Sequence, residues 1–233
     1  MTAARSTMTW TEVAALDPIA LNLGGRLNCH PAEGYEGLVA VDLFEGATGW
    51  HVTHDLREPL PLPDGSVAQI HTEDFLEHIR PAEIVALLTE CHRVLRPGGR
   101  LRIAVPDYEN PKDRAAFERS SKDVRNDEHI TRTDRAYVEQ MLVEAGFTNY
   151  EFLQFWDGDR FVHRTVDYSR GMVRRTPDHD PRCRRTGAVA KLRGALDDLR
   201  WTLGNLRGWS RGRFLAREGK RWYVTSVIVD VTR

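Results

Sequence analysis

Short apolar runs alternate with stretches of helical periodicity along much of the chain. The runs predict buried strands, which cover residues 19–23, 37–42, 50–55, 66–71, 100–105, 149–156 and 222–231. Apolar side chains recur at steps of three and four residues over 81–95 and 133–145, which predicts two helices. This alternation predicts an α/β fold with a doubly wound parallel sheet.

Proline and glycine mark the turns between these elements. Pro81 suits the first turn of the first helix, and the Pro97-Gly98-Gly99 sequence ends that helix. Gly146 is predicted to end the second helix. The proline-rich segment 58–65 is predicted to be a loop, because proline is excluded from helix interiors and from central strands.

The composition is typical of a globular protein. The 233 residues are 41% hydrophobic and 29% charged, with a net charge of −1, which gives no argument for a nucleic-acid partner. We expect a single domain over residues 1–233. No apolar run approaches the about 20 residues that span a bilayer, and no signal-peptide core is present near the start. The three cysteines are far apart, so we expect neither a disulfide framework nor a structural zinc site and predict a cytoplasmic location.

Charge is unevenly distributed despite this overall balance. Residues 182–222 carry twelve Lys/Arg and three acidic residues, a net charge of +9, which leaves −10 for the rest of the chain. Leucines at helical spacing from Leu192 to Leu206 predict a basic helical insertion before the last strand. Three interpretations stay open: a surface helix packed through its leucine face, a peripheral contact with anionic membrane lipids, or a nucleic-acid contact. The last is the least favoured, because the rest of the chain is acidic.

Small or acidic residues follow three successive predicted strands. Gly24-Gly25 ends the first strand, Asp42 the second and Asp55 the third. In a doubly wound sheet, ligands bind at the carboxyl ends of the strands. Glycines allow the backbone to approach a ligand, Asp42 suits the hydroxyls of a ribose, and Asp55 can accept a hydrogen bond from an adenine amino group. Taken singly, each of these residues is also explained as part of a turn or as a helix cap.

Five motifs in this order resemble those of class I S-adenosylmethionine-dependent methyltransferases, in particular the predicted bacterial methyltransferases of the type-11 group. Together they span about residues 18–147. The motifs are Leu21-Asn22-Leu23-Gly24-Gly25, Val41-Asp42, the segment from His54 to Val67, Phe75-Leu76-Glu77-His78, and Arg93-Val94-Leu95-Arg96-Pro97-Gly98-Gly99-Arg100-Leu101.

The resemblance implies a Rossmann-like seven-stranded sheet of order 3-2-1-4-5-7-6 with an antiparallel last strand. It also implies S-adenosylmethionine as the cofactor, with contacts from each predicted strand end on the first half of the chain. The implied cofactor residues are Gly24 and Gly25 at the methionine part, Asp42 at the ribose with Leu43 beside it, Asp55 and Leu56 at the adenine, and Thr72 and Glu73 in the segment that closes over the cofactor.

Two positions depart from the family pattern. Arg26 stands where a second glycine is usual, and Ala68 stands where an acidic residue is usual. A cofactor-binding protein without catalysis is therefore one alternative function. An RNA methyltransferase that uses the basic insertion is another.

Two residues are candidates for the base that activates a hydroxyl acceptor. Asp107 follows the fifth predicted strand, and His129 precedes the second predicted helix. Each can instead be an ordinary turn or loop residue. His78 is interpreted as a capping or packing residue, and the other histidines show no metal-ligand spacing on a shared helix face, so no metal is expected.

The sequence therefore predicts an S-adenosylmethionine-dependent methyltransferase that acts on a hydroxyl or amine of a small molecule or saccharide, such as a natural-product or cell-surface glycan intermediate. The acceptor class is implied by the resemblance alone. Residues 155–161 and 168–175 mix aromatic and charged side chains, which fits either an acceptor-recognition element or an ordinary β-hairpin. The pattern makes no prediction for the oligomeric state.

Overall fold

The computed structural model of the protein describes residues 8–25, 37–43, 50–110, 129–158, 160–164 and 226–233. Arg26 and the basic insertion 182–222 lie outside the described residues. The helices are α1 Trp10–Ala14, α2 Pro81–Val94 and α3 Arg135–Glu144, and a 3-10 turn, Leu76–His78, precedes α2. The strands are β1 Ile19–Leu23, β2 Val39–Asp42, β3 His51–Thr53, β4 Val67–Glu73, β5 Leu95–Pro106, β6 Asn149–Asp157, β7 Arg160–His163 and β8 Ser226–Thr232.

The described strands form one sheet in the order β3-β2-β1-β4-β5-β8-β6-β7. Neighbours among β1 to β5 are parallel, whereas β8 is antiparallel to both β5 and β6. Apart from the edge strand β7, this is the predicted order 3-2-1-4-5-7-6 with its antiparallel last strand, so the predicted Rossmann-like sheet is confirmed.

Strand β7 adds an eighth strand to the seven that were predicted. The chain reverses at Gly158, whose φ of 56° favours glycine, and β7 then pairs antiparallel with the end of β6. Residues 155–157 therefore pair with 160–163 as a β-hairpin, one of the two interpretations of this segment, whereas residues 168–175 lie outside the described residues. The hairpin does not exclude a role in acceptor recognition, which stays a prediction.

Helix α2 has the predicted start and buried face, and it ends at Val94, one residue before the predicted end. Pro81 is its first residue, and the Glu83 carboxylate accepts a hydrogen bond from the Arg80 N–H at 2.8 Å. Its buried face packs in the main core, where each such apolar side chain stabilises the fold by about 1.5–3 kcal/mol. That face consists of Ile84, Leu87, Leu88, Cys91 and Val94. Burial raises the pKa of the Cys91 thiol to about 12, so this cysteine behaves as a neutral apolar side chain.

Hydrogen bonds fix the ends of the other two helices. The Asp134 side chain accepts from the Tyr137 N–H at 2.9 Å at the start of α3, and Gly146, with a φ of 91°, follows its end as predicted. Helix α1 was not predicted, although Thr9 and Glu12 form a capping box that a Thr-x-x-Glu sequence can signal. Within the described residues no helix is both long and apolar enough to cross a membrane.

Strand β5 begins earlier than the predicted Arg100. Gly98 donates its N–H to the Arg233 carbonyl at 2.8 Å, and Arg233 donates to the Gly99 carbonyl at 3.1 Å. These bonds continue the pairing between β5 and β8, so the Pro97-Gly98-Gly99 turn lies inside the strand. The sequence could not show this, because the pairing partner, Arg233, is distant in sequence.

Candidate active site

The candidate site lies at the carboxyl edge of the sheet, around the end of β1. Leu23, the last residue of β1, pairs with Val41 of β2 on one side and with Thr72 of β4 on the other. The strands β2 and β3 continue the sheet in one direction and β4 and β5 in the other. The chain connections therefore lead away from the end of β1 in opposite directions. In open α/β sheets, ligands bind in the crevice that this reversal of strand order creates.

The side chains beside the two glycines after β1 leave no room for a Cβ atom at either position. Gly24 has a φ of 65° and donates its N–H to the Val41 carbonyl at 2.9 Å. A Cβ on Gly24 would lie 2.1 Å from Cγ of Phe75, and a Cβ on Gly25 would lie 2.3 Å from Nδ2 of Asn22. Neither position has room for a larger residue, and the ring of Phe75 lies directly against this glycine loop.

Asp42 and Asp55 lie at adjacent strand ends. Asp42 is half-buried at the end of β2, and its backbone carbonyl accepts from the His54 N–H at 2.9 Å. This bond holds the residues that follow β3 beside the end of β2. Leu43 comes next and is 53% exposed, so it presents an apolar side chain at the same edge.

Asp55 is paired with a neighbour in sequence. Its Oδ1 accepts from Nε of Arg57 at 2.9 Å and its Oδ2 from Nη2 at 2.5 Å. These hydrogen bonds lower the pKa of Asp55 to about 2, so the carboxylate is ionised near neutral pH. The contact with adenine that the resemblance implies stays a prediction, and Leu56, beside Asp55, is buried.

The end of β4 contains an unsatisfied polar atom. The Thr72 Oγ1 is buried and has no hydrogen-bond partner within the part of the chain that the structure describes. Glu73 follows, with a carboxylate oxygen 3.7 Å from Nε2 of His71. Asp74 then turns the chain with a φ of 49°, a conformation that is uncommon outside glycine. A buried hydroxyl without a partner, next to a residue in a strained backbone conformation, is typical of a ligand site, where the bound ligand supplies the missing hydrogen bond.

Asp107 is completely buried after the end of β5. Its Oδ2 accepts from the Trp156 N–H at 2.6 Å and its Oδ1 from the Glu109 N–H at 3.1 Å. Burial raises the pKa of Asp107 to about 7, and the two amide hydrogen bonds, which act in the opposite direction, only partly offset it. The carboxyl group therefore joins the end of β5 to β6, which is a positioning contact.

His129 lies among side chains that converge from three parts of the chain. Its Nδ1 is hydrogen-bonded to the Tyr108 hydroxyl, and its ring meets the His78 ring edge-on with centroids 4.7 Å apart. The backbone carbonyl of Glu77 accepts from the N–H groups of Ile130 and Thr131 at 2.9 and 3.0 Å. These two bonds hold the segment around His129 against the 3-10 turn.

The structure therefore groups the predicted residues in two places along one edge. Gly24, Gly25, Asp42 and the end of β4 surround the end of β1, while Asp107 and His129 are connected through Tyr108 after β5. Sequence reasoning missed the contacts of Glu77, Tyr108 and Phe75. The motif Phe75-Leu76-Glu77-His78 is a sequence signal for Phe75 and Glu77, but by itself it indicates only the family resemblance.

Comparison with known families gives a match over most of this region. The methyltransferase domain family matches residues 23–151, which is more than half of the chain. The matched range contains all the residues predicted at the cofactor and both candidate bases.

Two curated proteins are similar to parts of the chain. A probable S-adenosylmethionine-dependent methyltransferase of Mycolicibacterium smegmatis is 29% identical over 107 residues, which cover 46% of this chain and 38% of that protein. An uncharacterized 37.1 kDa protein in transposon TN4556 of Streptomyces fradiae is 45% identical over 51 residues, 22% of this chain and 14% of that protein. The matches thus span less than half of the length of either relative.

Solved structures share the fold. A SAM-dependent methyltransferase from Archaeoglobus fulgidus has a TM-score of 0.55 at 12% identity, with 92% of this chain and 85% of that chain covered. A SAM-dependent methyltransferase from Thermotoga maritima has a TM-score of 0.52 at 12% identity, with 91% and 81% covered. At this identity the likeness concerns the fold alone, but the family match is independent of it. The chain belongs to the methyltransferase domain family and has the fold of class I S-adenosylmethionine-dependent methyltransferases.

Proposed function

We propose that this protein transfers the methyl group of S-adenosylmethionine to a hydroxyl or amine of a small molecule or saccharide. The observation that carries the proposal is the meeting of a tight glycine loop, Gly24-Gly25, with the acidic end of β2 at Asp42. Membership of the methyltransferase domain family supports the same activity. The acceptor class rests on the resemblance in sequence and on no contact in the structure.

The residues at this edge fit the proposed cofactor. Asp42 offers carboxylate oxygens to the ribose hydroxyls, and the exposed Leu43 offers an apolar side chain at the same edge. The buried Thr72 hydroxyl offers hydrogen bonding that nothing in the described residues uses. When bound, S-adenosylmethionine supplies an electrophilic methyl group on a positively charged sulfur. The glycine loop lets the backbone approach it closely, and the chain contributes chiefly by positioning the two reactants and excluding water.

For a hydroxyl acceptor we assign activation to His129 in preference to Asp107. Both oxygens of Asp107 accept amide hydrogen bonds in a completely buried position, which supports a positioning role for that residue. His129 is only half-buried, and the Tyr108 hydroxyl orients its ring through Nδ1. An amine acceptor needs no base beyond what keeps it neutral.

Isothermal titration with S-adenosylmethionine and with its demethylated product tests the cofactor assignment. We expect the Asp42→Ala variant to bind about 10- to 100-fold more weakly, because charged hydrogen bonds to the ribose are lost. The control is Asp64→Ala, since Asp64 precedes β4 at the opposite edge and its side chain is 76% exposed. Unchanged affinity in the Asp42→Ala variant would contradict the ribose contact, and no binding by the unmodified protein would contradict the function itself.

Transfer of a labelled methyl group to a library of hydroxyl and amine acceptors tests catalysis. We expect the His129→Gln variant to lose most of its transfer to a hydroxyl acceptor while keeping its cofactor affinity. Cofactor binding without turnover on any acceptor would favour a binding protein without catalysis. RNA binding that weakens steeply with salt would favour an RNA methyltransferase.

A further inference from the structure

Three side chains that can bind a metal converge beside the 3-10 turn. One ligand atom from each of Glu77, His78 and His129 lies within 4.8 Å of the other two. Glu77 is buried, His129 is half-buried and His78 is exposed. The cluster therefore reaches from the protein interior to the surface, with its carboxylate at the deep end.

Backbone bonds between two separate segments hold this cluster together. The Glu77 carbonyl accepts from the N–H groups of Ile130 and Thr131 at 2.9 and 3.0 Å. The Thr131 hydroxyl also donates to the Ile79 carbonyl at 2.6 Å. These bonds lie next to Glu77 and His78 on one segment and next to His129 on the other. The backbone therefore fixes the position of His129 relative to Glu77 and His78.

The chemistry of the ligand set favours a particular class of ion. Two imidazoles and one carboxylate suit divalent transition metals, whereas Mg²⁺ and Ca²⁺ prefer sites made of oxygen atoms. Histidine ligands in metal sites usually have their other ring nitrogen hydrogen-bonded, which fixes the tautomer and orients the ring. The Tyr108 hydroxyl makes this bond to Nδ1 of His129, so Nε2 is the nitrogen assigned to the ion.

We propose that Glu77, His78 and His129 bind one divalent transition-metal ion. Three protein ligands are typical of catalytic sites, in which the remaining coordination positions take water or an oxygen of another molecule. No metal is expected from the sequence, because the histidines other than His78 and His129 show no ligand spacing on a shared helix face. These ligands instead come from a 3-10 turn and from a distant segment.

The position of the ion suggests a role that rests on the proposed function. Phe75, two residues before Glu77, lies against Gly24 of the glycine loop, which brings the cluster close to the proposed cofactor edge. A hydroxyl bound to a divalent ion loses its proton more readily. Its proton passes to solvent, and its oxygen forms a bond to the methyl carbon as the carbon–sulfur bond breaks. His129 then activates the acceptor as a ligand of the ion, without itself accepting the proton.

The test measures metal binding in the absence of cofactor and acceptor, so its failure is distinct from a failure of methyl transfer. The full chain is treated with a chelator and titrated with Co²⁺, followed by visible absorption, and with Mn²⁺, followed by electron paramagnetic resonance. We expect one ion per chain. The His129→Gln and His78→Gln variants should bind more than about 100-fold more weakly, and Tyr108→Phe about 10-fold more weakly. His92→Gln is the matched control, because His92 lies on α2 against Phe147 and outside the cluster.

Binding that survives in His92→Gln and is lost in the cluster variants supports the site. No saturable binding of either ion, or equal binding by His129→Gln, overturns it. Glu77→Gln alters a buried residue, so its folding is checked by circular dichroism. If that variant does not fold, the result for His129→Gln, at a half-buried position, decides the outcome. Methyl transfer that continues unchanged in the metal-free protein overturns the role of the ion in acceptor activation.

Discussion

Asp107 links the protonation of a single carboxyl group to the stability of the protein. Its pKa is raised from 3.8 to about 7 by burial, so between these values the folded state holds a proton that the unfolded state releases. The unfolded state therefore binds fewer protons, and stability falls as the pH rises through this range. We expect the free energy of unfolding to drop by about 2–3 kcal/mol between pH 5 and pH 8 on account of Asp107.

Urea unfolding of the unmodified protein and of Asp107→Asn across this pH range measures the effect. Asparagine does not titrate, so the difference in slope between the two proteins isolates Asp107 from all other groups. The exposed Asp157, at the end of β6, gives the control variant Asp157→Asn, which should keep the slope of the unmodified protein. Equal slopes in the Asp107→Asn variant and the unmodified protein would contradict the raised pKa.

Gly24 gives a second prediction at the residue scale. Alanine at this position combines a left-handed backbone with a clash against Phe75, so we expect Gly24→Ala to reduce stability by about 2–4 kcal/mol. Gly146→Ala is the control, because Gly146 has a φ of 91° but nothing within 4 Å of its Cβ position, and it should lose only about 1 kcal/mol. Thermal unfolding measures both. Similar losses in the two variants would show that Phe75 does not crowd the loop.

The residues that could be predicted from the sequence are those whose role is local. The glycine turn at Gly24 and the helix-ending Gly146 follow from backbone conformation alone. The grouping of Glu77 with His129 could not be predicted in this way, because it depends on backbone bonds between segments that are distant in sequence. The burial of Asp107 depends likewise on the docking of β6, which supplies the Trp156 N–H.

At the scale of elements, an ion pair connects the neighbouring antiparallel strands β5 and β8. Arg102 of β5 and Asp230 of β8 are directly opposite, with Nε–Oδ1 at 2.6 Å and Nη2–Oδ2 at 2.8 Å, and their side chains are 1% and 7% exposed. Removing one partner leaves the other charge buried, so we expect Arg102→Met to destabilise the protein by about 3–5 kcal/mol.

A double-mutant cycle separates the pair from its surroundings. We expect the Arg102→Met/Asp230→Leu double variant to be more stable than either single variant, since it removes both buried charges together. Chemical unfolding of the four proteins gives the coupling energy. Additive losses would mean that the two side chains are stabilised chiefly by other contacts.

Elements with strong periodicity were predicted most closely. Helix α2 has the predicted start and buried face, because its five buried positions recur at helical spacing and Pro81 marks its beginning. The short α1 escaped prediction, since five residues provide too little periodicity and only the capping box signals it. Strand β7 was not predicted, because it is stabilised by pairing with β6 and has no apolar run of its own.

At the scale of the molecule, the hydrophobic pattern predicted which strands exist but not their order. The order came from the resemblance to class I methyltransferases, and the structure confirms it. The hydrophobic pattern does not indicate the order of the strands, because parallel strands in the middle of a sheet are similarly apolar whichever strands they pair with. The carboxyl edge then follows from topology, since β1, β2 and β4 end side by side.

The charge asymmetry of the whole chain gives the last prediction. Residues 182–222 carry a net charge of +9 against −10 for the rest, and tryptophans accompany the arginines. Each Lys or Arg near an anionic bilayer contributes about 1 kcal/mol, so we expect the full chain to sediment with vesicles containing phosphatidylglycerol at low salt. Binding should be lost at about 0.5 M salt, where charges are screened within a few ångströms, and should be absent with phosphatidylcholine alone.

Replacing Arg211, Arg213 and Arg217 by glutamine should weaken vesicle binding more than about tenfold. Failure to bind anionic vesicles would contradict this prediction and favour a surface helix packed through its leucines.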